Sequence, residues 1–124
     1  MAELETEALP TRSDPRGFVF EPLDADELAG MRNCHVVISV PGAIRGNHYH
    51  PDVTETMAVV GPAHVRVRAD GGLHDIHVEP GTVMRFTFAP GVTHAIRNTG
   101  TAPNMIVAFA DREAHAAIPD RILD

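Results

Sequence analysis

The sequence has no lysine and no tryptophan, one cysteine and one tyrosine. Each absence removes a class of reading. A single cysteine, Cys34, excludes an intrachain disulfide framework. No apolar run approaches the roughly 20 residues a membrane-spanning helix needs. The N-terminus MAELETEALP lacks the basic-then-apolar order of a secretory signal, so the expected compartment is the cytoplasm, with no membrane partner. All ten basic residues are arginines, none forms a run, and the formal net charge is -7. A phosphate-neutralising surface needs the opposite balance, so nucleic acid is not an expected partner.

What is present fits one compact domain. A chain of 124 residues with 44% hydrophobic content fills a single core and leaves no room for two. Charge is concentrated at one end. Residues 1–30 hold eight acids and two arginines, and the remaining residues hold nine acids and eight arginines. We expect residues 1–14 to form an acidic, flexible N-terminal arm, residues 15–112 a barrel, and residues 113–124 a short C-terminal helix or tail.

From Gly17 onward, turn residues divide the chain into short segments. Asp24 followed by Glu27 has the spacing of a capping box for a short helix, which Gly30 ends. The segments 33–40, 43–50, 54–60, 63–69, 73–79, 82–88, 94–98 and 103–109 are apolar, rich in β-branched residues or alternating, and Gly or Pro separates most of them. Val65 and Val67 alternate with Arg66 and Arg68, the period of a half-buried strand. Asp70-Gly71-Gly72 predicts a tight hairpin. Asp111 is placed to cap a short final helix over 112–117. Strands spaced this closely, with no long helix between them, indicate an all-β sandwich or barrel with short helices near its two termini.

The chemistry gathers in Gly42-Ala-Ile-Arg45-Gly46-Asn47-His48-Tyr49-His50 and in two later positions, Glu55 and His94. His48 and His50 are two apart on a strand and share a face. Glu55 lies just beyond the Pro51-Asp52 turn, and His94 opens a later strand after Pro90-Gly91. Three histidines and a carboxylate suit a divalent transition metal; zinc, manganese, iron, nickel, cobalt and copper all accept such ligands. Four ligands leave positions open in an octahedral ion, which suits catalysis on a small-molecule substrate.

These residues resemble a known family. Gly42…His48-x-His50…Glu55…Gly61 and Gly81…Pro90-Gly91-x-x-His94-x-x-x-Asn98 are similar to the two signature motifs of the cupin superfamily. The resemblance implies a double-stranded β-helix, or jelly-roll barrel, with His48, His50, Glu55 and His94 as metal ligands and Gly61, Gly81 and Asn98 as structural positions. In finer wording, Arg45-Gly46-Asn47-His48-Tyr49-His50 resembles the C-terminal cupin domains of capsular-polysaccharide nucleotide-sugar reductases and the related dTDP-sugar epimerases and ketoisomerases. That likeness implies that Arg45 meets a substrate phosphate and that His48 serves as a base. The catalytic expectation is therefore Arg45, His48 and Glu55, in isomerisation- or epimerisation-type chemistry on a sugar-like or carbonyl-bearing substrate. A metal-dependent dioxygenase and a non-catalytic small-ligand-binding module are the alternatives, and a metal-free interaction protein is a third.

Strand parity points Arg45 away from His48 unless Gly46 marks a bulge. Tyr49 and Asn47 are expected on the opposite face from the histidines. His35, His64, His74, His77 and His115 carry no assigned role, and Cys34 is expected to be a small buried residue. Met84, Phe86 and Phe88, and likewise Met105, Val107 and Phe109, are expected to line the barrel. An exposed sheet face in so small a chain predicts a homodimer, with strand exchange through residues 15–21.

Overall fold

A computed structural model describes residues 4–113 and 116–124. The elements in chain order are β1 (Leu4–Leu9), β2 (Arg12–Asp14), β3 (Gly17–Val19), α1 (Ala25–Ala29), β4 (Asn33–Ser39), β5 (Ile44–Tyr49), β6 (Glu55–Val60), β7 (Ala63–Ala69), β8 (Gly72–Val78), β9 (Val83–Phe88), β10 (Thr93–Asn98), β11 (Asn104–Ala110) and β12 (Ile118–Pro119). Two five-stranded antiparallel sheets, ordered β1-β9-β6-β11-β4 and β12-β5-β10-β7-β8, make the jelly roll. The inner faces supply the core, with Phe86, Phe88, Val59, Val65 and Val67 almost wholly withdrawn from solvent.

Local chemistry explains most boundaries. Asp24 accepts from the Glu27 amide at 2.7 Å while Glu27 accepts from the Asp24 amide at 2.9 Å, so the capping box is complete, and Gly30 closes the helix. The β7–β8 hairpin turns through Asp70 (φ 53°) and Gly71 (φ 79°), the two positive φ values that a tight two-residue turn demands.

The N-terminal segment is not a loose arm. Leu4–Leu9 pairs along its whole length with β9. Arg85 on β9 secures it, because one guanidinium binds Glu7 of β1, Glu27 of α1 at 2.9 Å and the Pro22 carbonyl at 3.0 Å. The local excess of acid that suggested a solvated tail instead supplies partners for that arginine. Gly17–Val19 pairs with Arg12–Asp14 in a two-stranded hairpin of its own. Nor is the barrel confined to residues 15–112, since Ile122 and Leu123 are buried against Ala95 and Ile44.

The expected C-terminal helix falls partly on residues 114–115, which lie outside the described residues along with the role of His115. Arg112 and Glu113 form a bend, Ala116 and Ala117 are irregular, and β12 follows. On β11 the expected face is inverted. Ile106 and Ala108 point into the core, whereas Met105 is exposed and Val107 half-buried; of the three residues expected inside, Phe109 is buried. Both faces of this strand are apolar, so a period of two cannot choose between them. Cys34 is exposed because on the edge strand β4 the more apolar face, which it shares with Val36 and Ile38, is the outer one.

Candidate metal centre and its cavity

His48 and His94 are direct cross-strand partners on β5 and β10. His50 follows β5, and its carbonyl accepts from the Gly91 amide at 2.9 Å, which ties the first histidine motif to the turn that launches His94. Glu55 opens β6 in the opposite sheet and reaches across the barrel. The ligand nitrogens of His48, His50 and His94 lie within 4.8 Å of one another. Glu55 Oε1 sits 3.1 Å from His94 Nε2 and 3.7 Å from His50 Nε2. The structure thus brings together all four residues that the sequence singled out as ligands.

Backbone groups orient two of the rings. His50 Nδ1 donates to the Ala116 carbonyl at 2.9 Å, and His94 Nδ1 donates to the Val92 carbonyl at 3.2 Å. His94 also stacks flat on Phe88, with ring centroids 4.3 Å apart. In the neutral rings these bonds leave Nε2 of each as a lone pair, and both lone pairs face a carboxylate oxygen. Glu55 Oε1 is buried and meets no atom in hydrogen-bond geometry, although His94 Nε2 is so near. Acceptors crowded in this way are stabilised by a cation between them or by a further proton on a ring. Burial alone would raise the Glu55 carboxyl, but its close contact with His94 and the charges of His94, His50 and His35 outweigh that and hold it below its ordinary value. Ligands about 2.1 Å from one ion lie roughly 3 Å apart when adjacent, close to the Glu55–His94 separation, so the three clustered histidines with Glu55 beside them are compatible with a divalent metal.

A bulge sets the register of β5. Its pairing with β10 slips between His94 and Ala95, leaving Asn47 as the extra residue between His48 and Gly46. Gly46 has φ 88°, and a Cβ there would lie 2.5 Å from the His94 carbonyl oxygen, so no other residue fits. The extra residue brings Arg45 onto the wall of the same cavity as His48. Its guanidinium spans to β4, donating to Ser39 Oγ at 3.0 Å and to the Ile38 carbonyl at 3.1 Å.

Asn47 does more than its strand position suggested. At φ 57°, it accepts from the amides of Ile122 and Leu123, both at 3.0 Å, and donates to the Leu123 carbonyl at 2.9 Å. It thereby fastens the segment whose Ala116 orients His50. Asn98 is structural: it donates to the carbonyls of Ser39 and Ala102, each at 2.9 Å. Tyr49 is half-buried beside β12. His64 and His77 stack on one another, and His74 bonds the Ala69 carbonyl; among the described residues they gather no second cluster of metal-ligating groups.

The cavity at the centre holds about 240 Å³. Sites for drug-sized ligands run to roughly 300–1,000 Å³, so this one suits a single ring-sized group, with the rest of a larger ligand outside. Its wall includes a residue without an assigned role in the sequence, His35 of β4. The signal for it was an inward position on the strand before the first motif, and on this edge strand the outer face (Cys34, Val36, Ile38) is the more apolar one, which conceals inwardness.

Residues 12–122 match the family described as the polysaccharide biosynthesis C-terminal domain. The chain belongs to that family. Over 115 residues it is 30% identical to the UDP-2-acetamido-2,6-beta-L-arabino-hexul-4-ose reductase of Pseudomonas aeruginosa, an alignment covering 90% of this chain and 30% of that protein. This member of the polysaccharide biosynthesis C-terminal domain family thus spans less than a third of that relative. Among solved structures it resembles a 3,4-ketoisomerase from Helicobacter canadensis, with a TM-score of 0.74, 13% identity and coverage of 97% of this chain and 92% of that one. It also resembles ChmJ, a 3'-monoepimerase from Streptomyces bikiniensis solved with dTDP-quinovose, with a TM-score of 0.70, 17% identity and coverage of 87% and 63%. These two likenesses establish the fold. Among the described residues no helix is long and apolar enough to cross a membrane.

Proposed function

We propose that this chain is a metal-binding cupin that acts on the sugar of a nucleotide-linked carbonyl sugar, by isomerisation- or epimerisation-type chemistry. One observation carries the reading: a buried glutamate oxygen without a hydrogen-bond partner faces the ring nitrogens of two histidines oriented by backbone carbonyls. His48, His50, Glu55 and His94 would hold one divalent transition ion. Such an ion supplies positive charge that polarises a carbonyl oxygen and stabilises the charge which develops there. The substrate class is carried over from the relatives, whose names describe a UDP-sugar reductase and a monoepimerase seen with a dTDP-sugar.

The chain's own residues divide the remaining work. Arg45 offers a permanent positive charge on the cavity wall, held in place by Ser39 and the Ile38 carbonyl, and would meet a substrate phosphate. Val37, Met57, Ile96 and Ile106 line the cavity and keep water from the reacting ring. His48 and Glu55 act through the charge they help to fix. The exposed row Val36 and Ile38 of the edge strand β4, continued by Val40 just after it, supports a homodimer that covers it.

The test is incubation of the metal-loaded chain with UDP- and dTDP-linked 4-keto-6-deoxyhexoses, followed by NMR. A new isomer or epimer, or exchange of the proton beside the carbonyl, is expected from the wild type and is lost in His48→Ala. Undiminished turnover in His48→Ala overturns the metal mechanism.

A further inference from the structure

Proton transfer beside a carbonyl needs a base with a free lone pair, and the proposed ligand set removes the obvious candidates. A histidine whose Nε2 binds a metal, and whose Nδ1–H is committed to a carbonyl, has no lone pair left. With the proposed ion bound, His50 and His94 would be in that state, and His48, whose finer resemblance implied a base, would be spent as a ligand too. Of the described ionisable residues lining the cavity, Arg45 is a cation and Glu55 belongs to the proposed ligand set, which leaves His35.

We infer that His35 is the proton-transferring group of this site. The inference rests on the proposed carbonyl chemistry. His35 sits on the inward face of β4, in the cavity wall that also carries Val37, and it is exposed enough to reach substrate and exchange its proton with water. Its ring is oriented by a relay. Asn33 Nδ2 donates to the Glu113 carbonyl at 3.2 Å, which turns Asn33 Oδ1 towards His35 Nδ1 at 3.2 Å. Nδ1 is therefore the donor, and Nε2 carries the lone pair of the neutral ring. A base held by a third group in this way is the general arrangement of an activated proton acceptor.

The positions along β4 also give the substrate a direction. The Arg45 guanidinium is fixed at Ser39, four residues from His35, or about 13 Å at roughly 3.3 Å per residue. An anionic group held by Arg45 and a ring held over the histidine cluster then run along β4, with His35 at the ring end. In the reaction, His35 Nε2 takes a proton from the carbon next to the carbonyl. The C–H electron pair forms the new C=C bond, and the carbonyl electrons move onto oxygen. In isomerisation, the proton of the neighbouring hydroxyl passes to the former carbonyl oxygen, and the imidazolium delivers its proton to the former carbonyl carbon as the new carbonyl forms next to it, so no oxidant or reductant is consumed.

The experiment is deuterium incorporation from D2O beside the carbonyl of a dTDP-linked 4-keto-6-deoxyhexose, for wild type, His35→Gln and His35→Asn. Calorimetry gives the dissociation constant of the same compound, and metal content is measured alongside. We expect exchange to fall at least about 100-fold in both variants, as loss of a general base implies, while affinity stays within twofold and metal content is unchanged. Asn33→Ala is expected to give a partial loss. Exchange within threefold of wild type in His35→Gln overturns the role of His35 and leaves the reading of the site standing. A wild-type chain that binds metal and catalyses no exchange overturns both. Equal loss of affinity and exchange would make His35 a binding residue and also overturns the inference.

Discussion

Replacing Asn47 by alanine tests whether the C-terminal segment is part of the metal site. The side chain makes three hydrogen bonds to Ile122 and Leu123 from a left-handed backbone position. At a net contribution of about 0.5–1.5 kcal/mol each, the bonds are worth roughly 3 kcal/mol together. Alanine in the left-handed region adds about 1–2 kcal/mol. The loss has a ceiling, because the segment can simply detach. Detachment forfeits the burial of Ile122 and Leu123, about 1.5–3 kcal/mol for each side chain. We therefore expect Asn47→Ala to lose about 3–5 kcal/mol in urea denaturation. Asn47→Asp retains the acceptor and the tolerance for positive φ while losing one donor, and we expect it to lose only about 1–2 kcal/mol. Once the segment is loose, His50 no longer has the Ala116 carbonyl to orient it, and metal affinity should fall about 10- to 100-fold. An alanine variant within about 1 kcal/mol of wild type, or an aspartate variant as damaged as the alanine one, would refute this reasoning.

The other predictions concern the barrel's edge, its acid response and the anion site. Arg85→Met keeps the aliphatic stem but removes the bonds to Glu7, Glu27 and the Pro22 carbonyl. Amide exchange over Leu4–Leu9 should then accelerate at least tenfold while the β7–β8 hairpin is unchanged, and equal protection in both would contradict the role given to Arg85. The Arg66 guanidinium and His64 hold the Asp75 carboxyl down at about 2, below its ordinary 3.8. Its stabilising contribution is complete above about pH 4 and is lost as pH falls towards 2. Urea midpoints of wild type and Asp75→Asn should therefore converge on acidification, and a constant gap from pH 6 to pH 2.5 would contradict the pairing. Arg45→Gln should weaken dTDP binding about tenfold and flatten its salt dependence, as read by calorimetry; unchanged affinity would remove Arg45 from the anion site.

Much of this was legible in the sequence because its punctuation is strong. Gly and Pro turns separate most strands, and the described strands from β4 to β11 begin and end within one residue of the segments they delimit. The ligand set was legible because His48, His50 and Glu55 are close in sequence and the Pro90-Gly91 turn announces His94. Gly46 even signalled the bulge that returns Arg45 to the cavity. What sequence could not show depends on long-range contacts. Glu7 meets Arg85 across 78 residues, and Asn47 meets Leu123 across 76. No local pattern distinguishes a tethered terminal segment from a loose one. Both faces of β11 are apolar, and on β4 the more apolar face is the outer one, which hid His35 within the wall and Cys34 outside it.

Metal stoichiometry tests the central claim most directly. Wild type, Glu55→Gln and His94→Ala are expressed in metal-supplemented medium, purified without chelator, and analysed for transition metals. The account predicts close to one divalent ion per chain in the wild type, a marked loss in Glu55→Gln, and near absence in His94→Ala. A folded wild-type protein with less than about 0.1 ion per chain would contradict it.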